Sequence, residues 1–326
     1  MRFALAVLAA LSAALASAPV AAAGPVCDAV WHDAARNRDL PVRIRLPDGR
    51  GRVPVVLFSP GLGGGITGGA LWASAWVKRG IGVIHLEHPG SDAAVYRTDG
   101  TPEERHARVR AAASGEQLQA RVGDVSYVLD EIARRPKEGA CDLTRLDLSR
   151  AGIAGHSMGA WTAQGVAGQR YFNTTPFLDR RIRAAIAFSP STLTTGSLAE
   201  AFGGITIPFL SVTGTADGAL RAASAIETTS AAEQASLEAQ RTGAFTGMAP
   251  GNKYLLVFKD GDHMMFAGNA RRDPLHPIAH IQGVAAAATT AFWGATLLDD
   301  KRDADFLNSA KGLRTALAEG DRLEAK

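Results

Sequence analysis

Six short apolar runs alternate with segments patterned for helices, and this alternation limits the chain's possible folds more than any other feature. The runs are VPVVLFSPG (53–61), IGVIHLEHPG (81–90), RAGIAGHS (150–157), RAAIAFSP (183–190), IPFLSVTGTAD (207–217) and KYLLVFKDGDH (253–263). They are rich in Val, Ile, Leu and Phe and end at Gly, Pro, Ser, Asp or His. A run that is apolar on both faces reads as a buried parallel strand. Between the runs lie helix-like stretches at 68–80, 116–135 and 159–169, and another after His280. In QARVGDVSYVLDEIA the apolar residues fall at 122, 125, 128, 129 and 132, a spacing that places them on one face of a helix. Strand alternating with helix predicts an α/β fold with a doubly wound, mostly parallel sheet flanked by helices. VRIRLP (42–47) alternates polar with apolar and reads as an earlier edge strand. Two segments look inserted, near 91–118 and 218–249. The charged tail, 301–326, reads as a surface helix or a frayed end.

The first 23 residues stand apart from this pattern. A short basic start, an Ala/Leu/Val run from Ala4 to Ala16, and Ala21 and Ala23 at the −3 and −1 positions before Gly24 have the form of a secretory signal peptide. The run is too short to span a membrane, and no later stretch reaches 18 apolar residues. Removing 23 of the 326 residues leaves 303, which fits one α/β domain over 24–326. Such a protein is expected to be secreted or periplasmic, without a stable membrane anchor. The formal charge is +3, and its basic residues are scattered rather than striped, so no nucleic-acid partner is expected. Only two cysteines occur, Cys27 and Cys141. In an oxidising compartment they are expected to pair as a disulfide. Neither has a second Cys or His at ligand spacing, so no metal site is expected.

The chemistry-bearing stretch is AGIAGHSMGAWTAQ (151–164). Gly155-His156-Ser157-Met158-Gly159 fits G-x-S-x-G between a strand and a helix, the context of a nucleophile elbow. Side chains at 155 or 159 would collide with neighbouring backbone, and Ser157 must accept a strained conformation to project its hydroxyl. That hydroxyl needs a base. His263, just after the last strand, is the candidate. An acid is expected between them in chain order, and Asp217 stands there at a strand end. Glu227, Asp260, Asp262 and Asp124 are the alternatives. Asp260 and Asp262 are too near His263 in sequence to fold onto its ring. Glu227 lies in an insert, and Asp124 is expected to pair with an arginine on a helix. His276 and His280 sit four apart without a third ligand and read as ordinary residues. His88 could touch the pocket rim or stabilise its own loop. An oxyanion hole needs two backbone N–H donors. Met158 supplies one. Leu62, in the glycine-rich loop FSPGLGGGITGG, is the candidate for the other. That loop lacks the Lys-Ser/Thr pair of a phosphate-cradling P-loop, so a nucleotide is not expected.

These stretches carry a resemblance. VVLFSPGLGG, HLEHPGSD, RVGDVSYVLDEI, DLSRAGIAGHSMGAWTA, PFLSVTGTAD and DGDHMMF, spread over most of 50–267, resemble the α/β-hydrolase superfamily. Within it they resemble the secreted "predicted dienelactone hydrolase" and platelet-activating-factor acetylhydrolase-like group and, more distantly, cutinase-like polyester hydrolases. The resemblance implies a serine esterase that splits carboxylic esters through Ser157, His263 and Asp217, with no cofactor. Its partner would be a small ester or lipid substrate. Other activities it implies are phospholipid acyl hydrolysis and polyester cleavage, and a hydrolase-fold binding protein without catalysis is a further possibility. Authentic dienelactone hydrolases use cysteine where this chain has Ser157. Polyester-cleaving relatives carry a tryptophan at a strand exit where this chain has FSPS (188–191). Trp161 is expected in the core; Trp72 either reaches the pocket or packs inside.

Overall fold

A computed structural model describes residues 24–172, 174–192, 196–218, 231–269 and 278–326, with backbone alone for 231–237. The leader, most of the segment between Asp217 and the following helix, Glu227 and His276 lie outside the described residues.

Eleven strands occur in these residues. They are β1 (Val26–Asp33), β2 (Arg38–Arg45), β3 (Val53–Ser59), β4 (Gly82–Leu86), β5 (Lys137–Glu138), β6 (Cys141–Asp142), β7 (Leu146–His156), β8 (Ile182–Phe188), β9 (Phe209–Ala216), β10 (Lys253–Asp262) and β11 (Arg322–Ala325). Nine form one sheet in the order β1-β2-β4-β3-β7-β8-β9-β10-β11, and β5-β6 is a separate ribbon. The six apolar runs become β4, β3, β7, β8, β9 and β10, all parallel to one another. The reading of an α/β fold with a mostly parallel sheet is therefore met.

Eight α-helices flank the sheet among the described residues: α1 (Ala70–Lys78), α2 (Pro102–Ala112), α3 (Gly115–Arg134), α4 (Met158–Ala167), α5 (Leu198–Phe202), α6 (Ala231–Gly247), α7 (Ile278–Leu297) and α8 (Lys301–Asn308). The strand period of two divides the core. Val55 and Leu57 of β3 join α3, α4 and α5 in one apolar cluster, while Val56 and Phe58 join α1, α7 and α8 in another. The apolar stripe of α3 (Val122, Val125, Val128, Leu129, Ile132) is buried as its spacing predicts.

Two readings need correction. VRIRLP is not an edge, because β2 lies between β4 and a further strand, β1, paired antiparallel from Val26↔Arg45 to Asp33↔Arg38. Nor is the tail simply a surface helix. Leu307 and Leu313 are buried beneath α7, and β11 pairs antiparallel with β10. β1 alternates exposed with buried positions, and β11 is short and charged, so neither has the two-faced apolar signature. Cys27 of β1 and Cys141 of β6 form a disulfide across 114 residues, with Cα atoms 6.2 Å apart. Among the described residues no helix is long and apolar enough to cross a membrane.

Candidate active site

The carboxyl ends of four parallel strands converge, as ligand sites do in open α/β sheets. The loop from Pro60 follows β3, Ser157 follows β7, Asp217 follows β9 and His263 follows β10. Ser157 turns the chain from β7 into α4 with φ 55° and ψ −115°, a strained conformation for a residue bearing Cβ. Its amide hydrogen-bonds the Phe188 carbonyl at 3.0 Å. The flanking glycines are required by close approach: a Cβ on Gly155 would strike the Gly159 carbonyl, and one on Gly159 the Ser59 carbonyl.

Ser157, His263 and Asp217 form one hydrogen-bonded string. Ser157 Oγ lies 2.9 Å from His263 Nε2, and His263 Nδ1 lies 2.7 Å from Asp217 Oδ1. The network assigns the proton on Nδ1 to the carboxylate and leaves Nε2 to accept from the serine. Asp217 is buried, and its Oδ2 accepts from Thr213 Oγ1 at 2.7 Å. Arg241 of α6 donates to the Asp217 carbonyl at 3.0 Å and approaches Oδ1 at 3.3 Å. Burial alone would raise the Asp217 carboxyl. The bond from His263 and the Arg241 charge outweigh it and hold the carboxyl below its ordinary range. Asp262 does not compete for the ring. Its Oδ1 accepts from Met264 and Met265 N–H and opens the 3₁₀ turn carrying His263.

His156, the variable residue of the motif, fastens the elbow to the histidine loop. Its Nε2 donates to the His263 carbonyl at 2.8 Å, and the two rings lie 4.8 Å apart. Burial, then the neighbouring His263, lowers its pKa to about 3, so it is neutral.

Ser157 and His263 open onto a cavity of about 430 Å³. Its lining includes Phe58, Leu62, Tyr96, Met264, Ala267 and Asn269, with no Lys, Arg, Asp or Glu side chain among the described residues. Leu62 is thus brought to the site. Met158 opens α4, and N–H groups of a helix's first turn have no intrahelical acceptor. Gly63 N–H binds the Ser91 carbonyl at 2.8 Å, which fixes the loop just after Leu62. Tyr96, half exposed in the first insert, lies against Gly63 at the cavity wall. Among the described residues no group of three or more His, Cys, Asp or Glu is placed to hold a metal.

Trp72 does not reach the cavity; it is fully buried, stacked on Phe188 at 5.0 Å, with its indole N–H on the Phe266 carbonyl. Trp161 packs, partly buried, against the core. His88 is not at a pocket rim but fully buried. Its Nε2 is 2.9 Å from Ser59 Oγ and its Nδ1 2.9 Å from Asp124 Oδ2. Asp124 pairs with Arg36, in the turn after β1, and with Arg38 on β2, not with a helical arginine. The sequence reading missed Arg241, Thr213, Tyr96 and Arg121. Arg121 did leave a signal, a charged residue on the apolar stripe between Leu118 and Val125. Thr213 lies four residues before Asp217; Arg241 sits in an insert with no pattern to mark it.

No family model matches the chain, and no curated protein matches it either.

Proposed function

We propose that the protein is an exported serine esterase of the α/β-hydrolase type, related to the dienelactone-hydrolase and acetylhydrolase-like group its motifs resemble. The observation that carries this reading is the Ser157–His263–Asp217 string opening onto an apolar cavity beside Leu62. His263 Nε2 takes the Ser157 proton as Oγ bonds to the ester carbonyl carbon. The carbonyl oxygen becomes an oxyanion held by the N–H groups of Leu62 and Met158. When the tetrahedral species collapses, His263 returns its proton to the leaving alkoxide, giving an alcohol and an acyl-serine. Water then attacks the acyl-serine, His263 takes the water's proton, and the acid leaves as Ser157 is re-protonated. Asp217 keeps the imidazole in the working tautomer and stabilises the imidazolium.

The cavity is at the small end of ligand-site volumes, roughly 300–1,000 Å³, and its lining is apolar and uncharged. It suits a neutral ester with a short or medium acyl chain better than a substrate presenting an anion. Export is supported by the Cys27–Cys141 bridge, which persists in oxidising compartments.

A fluorophosphonate probe with peptide mapping tests the reading, combined with turnover across a chain-length ladder of p-nitrophenyl esters. Labelling at Ser157 and a maximum at short or medium chains are expected. An unlabelled, inactive protein would return the chain to the class of non-catalytic hydrolase-fold binding proteins.

A further inference from the structure

Beneath the loop that carries Leu62 lies an arginine that contributes nothing to the cavity wall. Arg121 projects from α3 and is fully buried. Its guanidinium makes four hydrogen bonds to three separate pieces of chain. Nε donates to Thr162 Oγ1 at 3.0 Å and Nη1 to Ser91 Oγ at 2.7 Å. Nη2 donates to Ser59 Oγ at 3.0 Å and also to the Pro60 carbonyl.

Each contact leads to an oxyanion donor. Thr162 Oγ1 passes its own proton to the Met158 carbonyl at 3.1 Å, in the first turn of α4. Pro60 stands two residues before Leu62. The Ser91 carbonyl accepts from Gly63 N–H, one residue after Leu62. One planar, five-donor group thus grips both flanks of the Leu62 loop and the start of the helix that carries Met158. The geometry points to Arg121 as a positioning residue that sets the separation and aim of the Leu62 and Met158 N–H groups. This inference rests on the esterase reading above.

The chemistry suits arginine. Donors must lie about 2.7–3.1 Å from the oxyanion, so small errors in their spacing are costly. A rigid fork fixes several acceptors at once, whereas a lysine ammonium on a flexible stem holds fewer. Burial also keeps this cation in a low-dielectric region, where its attraction for charge developing above it is weakly screened. Both effects act when the carbonyl oxygen becomes negative, not when the neutral ester binds. The loss is therefore expected in kcat, with KM nearly unchanged.

The test compares wild type, Arg121→Met, Arg121→Lys and Thr162→Val on p-nitrophenyl butyrate. An alkylboronic acid serves as tetrahedral mimic, and thermal unfolding is monitored for each variant. Arg121→Met is expected to lose about 10²-fold in kcat, with boronate affinity falling in parallel and KM held within about threefold. Arg121→Lys should recover part of both losses. Thr162→Val keeps its shape, severs one link, and should lose kcat by about tenfold. If Arg121→Met does not fold, Thr162→Val decides the matter by the same criteria. The inference is overturned by folded variants whose kcat stays within about twofold of wild type. It is equally overturned if KM rises while boronate affinity is unchanged. A wild type that neither labels at Ser157 nor cleaves esters sinks the esterase reading, and this inference with it. An active, labelled wild type with insensitive variants sinks this inference alone.

Discussion

Among the described residues there are two Ser–His–Asp strings, and on distances alone they are almost the same. In the first, Ser157, His263 and Asp217 are joined by bonds of 2.9 and 2.7 Å. In the second, Ser59, His88 and Asp124 are joined by bonds of 2.9 and 2.9 Å. The difference lies in what else each group touches. Ser157 sits on a strained elbow facing a cavity, so its oxygen can meet a carbonyl carbon. Ser59 closes a strand, is fully buried, and its oxygen also accepts from Arg121. No substrate reaches it, and the cationic donor draws electron density from the would-be nucleophile. Burial, helped by Arg121, lowers the His88 pKa to about 4, which makes its imidazole a weak base. Asp124 carries Arg36 and Arg38 as well as His88, the pattern of a structural anchor. Burial would raise its carboxyl, but His88 and Arg38 hold it at about 2. A hydrogen-bonded Ser–His–Asp string is thus necessary for triad chemistry but not sufficient; access to the serine separates the two.

The largest contrast is expected between the serines. Ser157→Ala should remove on the order of 10⁴–10⁶ of kcat, with the fold retained by circular dichroism. Ser59→Ala should keep probe labelling at Ser157 and cost less than about tenfold in kcat. Labelling at Ser59, or a Ser157→Ala enzyme within about tenfold of wild type, would break the distinction.

The acids should separate along a different axis. Asp217→Asn is expected to lower kcat by on the order of 10²–10⁴, because an amide favours the wrong imidazole tautomer. Its unfolding midpoint should move little. Asp124→Asn is expected to do the reverse, costing about 3–5 kcal/mol of stability by stranding buried partners. Turnover per folded molecule should change much less. Were Glu227→Gln to lose turnover while Asp217→Asn kept it, the acid of the active string would be Glu227.

The first string was legible in the sequence and the second was not, for a physical reason. Ser157, Asp217 and His263 each follow a strand whose two-faced apolar run marks its own end, and the G-x-S-x-G motif with the order serine, acid, histidine singled them out. Leu62 was marked by glycines that let backbone approach closely. Ser59 and His88 terminate runs of the same kind, but nothing in a linear pattern shows that α3 brings Asp124 and Arg121 beneath them. That placement depends on how the helix lies on the sheet. The same limit hid β1, whose pairing outside β2 follows from tertiary packing rather than from alternation. Arg241 reaches Asp217 from an insert where no periodicity foretold a contact.

The disulfide sharpens the comparison from outside both strings. Cys27–Cys141 ties β1 to the ribbon before β7, and neither cysteine lines the cavity. Replacing both cysteines by alanine should cost about 2–5 kcal/mol in denaturant unfolding, since the bridge closes a long loop in the unfolded chain. Esterase turnover at 25 °C should be unchanged within about twofold. A large drop in kcat with unaltered stability would mean that β1 communicates with the active string.

The smallest effect at any one pH belongs to His88, and its sign follows from burial. Its folded pKa of about 4 lies below the ordinary value of 6.5. As pH falls from 6.5, the unfolded chain takes up this proton first, so the unfolded state binds more protons and stability declines. The decline from this group runs at up to about 1.4 kcal/mol per pH unit and levels off near the folded pKa. Above pH 6.5 His88 contributes no pH dependence. His85 and His156 are also buried and lowered, to about 4 and about 3, and add slopes of the same sign. The variant His88→Gln isolates one of the three. Urea unfolding from pH 7.5 to 4.5 should give a shallower dependence for the variant, by about one proton between pH 6 and 5. The curves should run parallel above pH 7. Equal slopes throughout would mean that His88 takes up its proton alike in the folded and the unfolded protein. The second string would then hold a cation next to Arg121 at acidic pH, and burial of its serine alone would set it apart from the first.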